Sequence, residues 1–140
     1  MITTADDRAA QGKGRLWLLP HGPKSAGIAR RVARAALHGW GVASDAAVEP
    51  VLLVVSELVT NAVEHALPPV ALRLEEADAG TVHLEVQDGG PSRTKGTWIA
   101  GCDEDEHGRG ILIVDRIATA HGSRSGGHGT TVWADLPLTA

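Results

Sequence analysis

Glu57-Leu58-Val59-Thr60-Asn61-Ala62-Val63-Glu64-His65-Ala66 is the stretch on which the reading of this chain turns. It closes a run of strong helix formers from Val51 to Ala66, stopped by Pro68-Pro69. Glu57 and Asn61 are four apart, so they lie one turn apart on the same helix face. An Asn amide oxygen is a hard, neutral ligand suited to Mg2+, which keeps several waters and takes phosphate oxygens for the rest. A carboxylate one turn away can orient or deprotonate an attacking hydroxyl. Taken alone, the pair reads as a solvated polar stripe on an amphipathic helix. Its surroundings decide the matter.

Upstream, Ser44 and Asp45 are cap candidates for this helix, and Pro50 marks either its first turn or a new start. Before it, Lys24 to Trp40 reads as another helix, with Ile28, Val32, Ala35 or Ala36, and Leu37 at helical spacing and Gly39 and Gly41 at its end. Arg15 to Leu19 is a short apolar run ended by Pro20, consistent with a strand. Residues 1–14 are polar and aperiodic and read as a flexible tail, leaving 15–140 as one domain.

Downstream, Val70 to Glu76 and Thr81 to Gln87 form a hairpin. The second strand alternates Val82, Leu84 and Val86 with His83, Glu85 and Gln87, so one face is buried. Asp88 to Gly110 is a long glycine-rich segment holding the acidic run Asp103 to Glu106, a length that in a small domain points to function or disorder. Ile111 to Ala118 reads as a short helix, and His121 to Arg124 with Thr130 to Leu136 as a closing strand pair. The order β-α-α-β-β-loop-α-β-β predicts an α+β two-layer sandwich: a mostly antiparallel mixed sheet with about three helices on one face.

Composition narrows the function. At 140 residues and 14.6 kDa the chain can bury a core without staples. Cys102 is the single cysteine, which excludes an internal disulfide or a multi-cysteine metal site. Net charge is −4 with no Phe or Tyr, so neither a basic footprint nor a base-stacking platform for nucleic acid is expected. The longest aliphatic run, Val51 to Val55, falls far short of the ~20 residues that span a bilayer. No membrane segment or leader is read, and the expected compartment is the cytoplasm. The seven histidines form neither H-x-x-x-H nor H-E-x-x-H, and no dedicated zinc site is expected.

Two further pieces complete the pattern. Asp88-Gly89-Gly90-Pro91 follows a strand directly. It suits a turn, and equally a carboxylate that accepts an exocyclic amine while glycines let a ring approach the backbone. Gly108-Arg109-Gly110-Ile111 opens a helix, where free N–H groups and the dipole favour phosphate, and Arg109 can add a charge-assisted donor. No G-x-x-x-x-G-K-[ST] loop is present.

In this order the pieces resemble the Bergerat-fold (GHKL) ATPases, the superfamily of gyrase, histidine-kinase and mismatch-repair ATP-binding domains. Glu57 and Asn61 match its N box, Asp88 and Gly90 its first glycine box, Gly108 and Gly110 its second, and Gly129-Thr130 its last. The likeness covers about Leu16 to Leu136. Within the superfamily, Val55 to Ala62 followed by His65-Ala66, Gly108 to Ile111, and Gly129 to Trp133 are similar to anti-sigma factor serine/threonine kinases and their stand-alone relatives. With so short a stretch ahead of the first helix, the dimerisation helix of a sensor kinase is not expected.

That resemblance implies a Mg2+·ATP-binding homodimer that binds a sigma factor and phosphorylates a serine on an anti-anti-sigma (STAS-type) protein. It implies Glu57 as base or orienter, Asn61 as the Mg2+ ligand, Asp88 and Thr130 as readers of adenine, and Gly108, Arg109 and Gly110 as the phosphate cradle. Ser92 stands where the first glycine box has its second glycine, and Glu64 where the N box often has a basic residue. These departures support the alternative, a non-catalytic module in which ATP only orders the loop. His65 is expected to fix the helix end near the pocket. Trp17, Trp40 and Trp133 are expected in the core or a dimer interface, with Trp98 anchoring the loop.

Overall fold

The computed structural model describes residues 14–78, 80–91, 112–127 and 129–138. Strand β1 (Gly14–Leu19) leads to helices α1 (Ser25–Gly39) and α2 (Asp45–His65). Strands β2 (Val70–Asp78) and β3 (Thr81–Asp88) follow, then a short helix α3 over 112–117, and finally β4 (Ala120–Gly126) and β5 (Gly129–Pro137). β1 begins at Gly14, the last residue of the expected tail; the rest of that tail lies outside the described residues.

The sheet order is β1-β2-β3-β5-β4, and every described pairing is antiparallel, more uniform than the mixed sheet expected. β5 returns between β3 and β4, which puts the edge strand β4 two places from the strand it follows in sequence. The alternation read in β3 sets the layering. Val82, Leu84 and Val86 are fully buried and pair with Leu136, Ala134 and Val132 of β5 on the helix side. Leu72 and Leu74 of β2 continue that face, and it joins α1 and α2 in one core. Burying a side chain of this size contributes roughly 1.5–3 kcal/mol, which is what holds the two layers together.

α1 meets α2 through small residues. Ala29, Ala33, Ala36 and Leu37 are its buried stripe, while Ile28 and Val32 are only half-buried beside it. Alanines let the helix axes approach, and Arg30 and Arg34 reach across to Ser56 (3.0 Å) and Glu49 (3.1 Å) on the outside. α2 starts at Asp45 with Ser44 at the N-cap position, so Pro50 lies inside the helix rather than at a new start. At 21 residues α2 is long and apolar enough to cross a membrane by composition alone. Its apolar side chains from Val48 to Val59, the exposed Leu53 apart, instead form the middle of the core.

Candidate functional site

The residues singled out in sequence converge through backbone stitching at the end of α2. Leu67 N–H donates to the Gly90 carbonyl (2.8 Å) and Gly89 N–H donates to the Leu67 carbonyl (2.7 Å). Ala66 and Pro91 extend this contact as a bridge. A Cβ at Gly89 would overlap the Pro68 carbonyl oxygen, so only glycine admits so close an approach. The stitch fixes the helix carrying Asn61 against the turn carrying Asp88.

Asp88 is oriented by its own turn. Gly90, at φ 101°, donates its N–H to Asp88 Oδ1 at 2.8 Å. One carboxylate oxygen is thereby used, and the other has no partner among the described residues. The β3–β5 register sets Thr130 directly opposite Asp88. Gly129, at φ 140°, makes this possible: a Cβ there would overlap the Asp88 carbonyl oxygen. Asp88 and Thr130 are therefore side by side at the same end of the sheet, each next to a glycine the backbone requires.

Between α2 and the sheet these residues line a cavity of about 440 Å3. Asn61 and His65 stand on the α2 wall, Asp88 and Thr130 at the strand ends, and Val86 and Val132 form the floor. Leu58, Ala62 and Val114 complete an aliphatic lining. This is the size and character of a small-molecule site: mostly apolar, with a few convergent polar groups. An acceptor-only oxygen beside a hydroxyl, over an aliphatic floor, fits an adenine edge and face. Among the described residues no cluster of three His, Cys, Asp or Glu could hold a metal by itself. A Mg2+ ion at Asn61 would draw its remaining ligands from phosphate and water, as that ion does.

Not every expected residue joins the cavity. Glu57 is half-buried one turn before Asn61 and outside the lining. Gly108, Arg109 and Gly110 lie outside the described residues, as does the rest of the expected Asp88 to Gly110 segment beyond Pro91, with its acidic run and Trp98. Among the lining residues that the sequence reading did not single out for the site are His121 and Ser123 of β4. Their inward face follows from pairing with Ala134 and Val132. No local pattern announces it, since the strand carries no large apolar residue. Trp17 and Trp40 pack on the core, but Trp133 does not. It faces away from the helices, across from Glu85, because its neighbours Val132 and Ala134 take the core side.

The fold has solved counterparts. One chain, holding the RsbU and RsbW domains of Rv1364c from Mycobacterium tuberculosis, is 21% identical with a TM-score of 0.70 over 91% of this chain. Another, the histidine kinase domain of a blue-light activated histidine kinase from Erythrobacter litoralis EL346, is 22% identical with a TM-score of 0.50 over 86% of this chain. This chain spans about 33% of the first and 65% of the second. At these identities the likeness establishes the fold, an α+β sandwich. No curated protein matches the chain. The family model for the histidine kinase-like ATPase domain matches residues 19–136, nearly the whole described sandwich, and the chain belongs to that family.

Proposed function

We propose that this chain is a Mg2+·ATP-binding regulatory protein of the anti-sigma-factor kinase kind. In this reading residues 15–140 are the ATP-binding domain of a cytoplasmic homodimer. It sequesters a sigma factor and phosphorylates a serine or threonine of an anti-anti-sigma (STAS-type) partner, without contacting nucleic acid or membrane. The observation that carries the reading is the Asp88–Thr130 pair at one end of an aliphatic cavity whose helical wall holds Asn61. The similar chain that joins RsbU and RsbW domains supports a place in a partner-switching system.

When bound, Mg2+·ATP supplies the transferable phosphoryl group and the charge neutralisation on which such transfers chiefly depend. The protein's part is positioning. Asp88 accepts the exocyclic amine through the oxygen that Gly90 leaves free, with the Thr130 hydroxyl beside it. Val86 and Val132 exclude water from the base. Asn61 offers its amide oxygen to the metal, and Gly108, Arg109 and Gly110 offer N–H groups and a guanidinium to the phosphates. Glu57 orients the acceptor hydroxyl and takes its proton.

A second reading is favoured by one specific observation: Glu57 is not on the cavity wall. With the Ser92 and Glu64 departures, this supports a module that binds ATP to order a partner surface without transferring phosphate. Purified protein, Mg2+·ATP and a partner carrying a single acceptor serine separate the two. The kinase reading expects labelling of that serine. It also expects Glu57→Gln to slow transfer ~100-fold or more, the scale of a lost general base, with ATP affinity within a few-fold of the parent. ATP binding without label on any partner contradicts it and leaves the binding module.

A further inference from the structure

On the sheet face turned away from the helices, β3 carries His83, Glu85 and Gln87. The register sets Glu75 and Arg73 of β2 opposite His83 and Glu85 on one side, and Asp135 and Trp133 of β5 on the other. The imidazole bridges two carboxylates, with Nδ1 2.5 Å from Asp135 Oδ1 and Nε2 2.9 Å from Glu85 Oε2. Glu85 is only 8% exposed although it belongs to the open face. It also receives Arg124 of the edge strand β4 at 3.3 Å and the Gln87 amide at 3.5 Å. Trp133 stacks on the imidazole at 5.8 Å between ring centres, and Gly122 of β4 gives it room: a Cβ there would meet the indole at 3.0 Å.

A neutral imidazole carries one N–H and one lone pair. It can donate to one of these carboxylates, but its second nitrogen then faces the lone pairs of the other. Only the imidazolium, a donor at both nitrogens, satisfies Asp135 and Glu85 together. We propose that His83 is the proton-operated pin of a clasp that ties the edge strand β4 to β5 and β3. With the ring protonated, Asp135, His83, Glu85 and Arg124 alternate in charge across the three strands. Without the proton, one of the two carboxylates faces a nitrogen lone pair and loses its donor, and where that carboxylate is Glu85, the oxygen that seats Arg124 is no longer positioned from the β3 side.

The clasp lies behind strands that line the cavity through Val86, Val132 and residues 121–123. It stands on the sheet geometry, independently of what the cavity binds. The other charges facing His83 from β2, Arg73 and Glu75, are paired with each other at 3.5 Å. β1 is separated from β3 by β2, and the helices cover the opposite face. Burial is the largest single influence on the ring and works against its charge. The hydrogen bonds and charges of Glu85 and Asp135 together outweigh it, and the His83 pKa is raised above 6.5. A pKa raised on folding gives stability that is complete below the unfolded value and is lost as pH rises through the folded one.

Amide hydrogen exchange in β4, corrected for intrinsic rates, tests the clasp at about pH 6 and at a pH above the His83 midpoint, which its ring proton signal supplies. In the parent, β4 protection is expected to fall several-fold at the higher pH. In His83→Gln, which keeps the Asp115–His121 pair on the other face, protection is expected to be lower at about pH 6 and nearly level across the range. Arg124→Gln, exposed and free of the core, is the second variant. It should also level the β4 response, while the His83 ring proton signal still titrates above 6.5. Unchanged β4 protection in the parent, or the same fall in His83→Gln, overturns the proposal.

Discussion

The two faces of β3 solve the same problem with opposite chemistry. Val82, Leu84 and Val86 join the helices to the sheet by apolar burial, while His83, Glu85 and Gln87 join β3 to its neighbours by charge and hydrogen bonds. Apolar burial does not respond to protons, whereas the outer face does. The inner face also gives the cavity its apolar floor, and Asp88 stands on the cavity lining at the strand end. One strand thus separates what must be insensitive to conditions from what can vary.

The largest effect should come from the inner face. Leu84→Ala removes a fully buried side chain between the layers, and a loss of about 2–5 kcal/mol is expected. Chemical denaturation should show that loss unchanged between acid and neutral pH. A pH-dependent loss would break the contrast between the faces.

Next comes the junction where they meet. Gly129→Ala places a side chain at φ 140° and into the Asp88 carbonyl. Strain of about 1–3 kcal/mol is expected, and because Thr130 is displaced from Asp88, ATP affinity should fall with stability. Unaltered affinity at reduced stability would show that the pairing does not serve the ligand.

The smallest effect belongs to the outer face. For Glu85, burial alone would raise its pKa, but hydrogen bonds and charges from His83 and Arg124 together lower it below 4.5. A pKa lowered on folding gives stability present above the unfolded value and lost as pH falls through the folded one. Glu85→Gln should therefore cost about 1 kcal/mol where both Glu85 and His83 are charged, roughly between pH 4.5 and 6.5. The difference should shrink at lower pH. Thermal melts across that range would reveal an equal cost at all pH values if the charge plays no part.

How much of this was legible beforehand depended on whether the signal was local. The alternation of β3 identified the buried face because period two is written in consecutive residues, and the apolar run of α2 did the same for the core helix. Asp88, Asn61 and Thr130 stand out as motifs, but that they share one cavity depends on the β3–β5 register for the first and last and on the packing of α2 on the sheet for Asn61. The Leu67–Gly89–Gly90 stitch was invisible, since backbone bonds leave no mark on side-chain identity. His121 and Ser123 were missed because their inward direction is set by pairing with β5, and β4 has no apolar pattern of its own. Trp133 was expected in the core or an interface on hydrophobicity. Its strand parity, fixed by Val132 and Ala134, overrides its size and takes it out of the core to the outer face, which corrects only the core half of that expectation. Glu57 lies one turn before Asn61 and next to Leu58, which lines the cavity, yet it is not itself part of the lining.

Titration calorimetry of Mg2+·ATP into the parent and Asp88→Asn tests the central claim most directly. The asparagine oxygen can still accept the Gly90 N–H, so the turn and the melting temperature should survive. The group facing the cavity changes from an acceptor-only oxygen to an amide donor, which opposes the donor amine of adenine. A lost charged hydrogen bond of roughly 1.5–3 kcal/mol predicts ATP affinity weakened roughly ten- to hundred-fold. Equal affinity in the two proteins would contradict the assignment of Asp88, and with it the reading of this cavity as a nucleotide site.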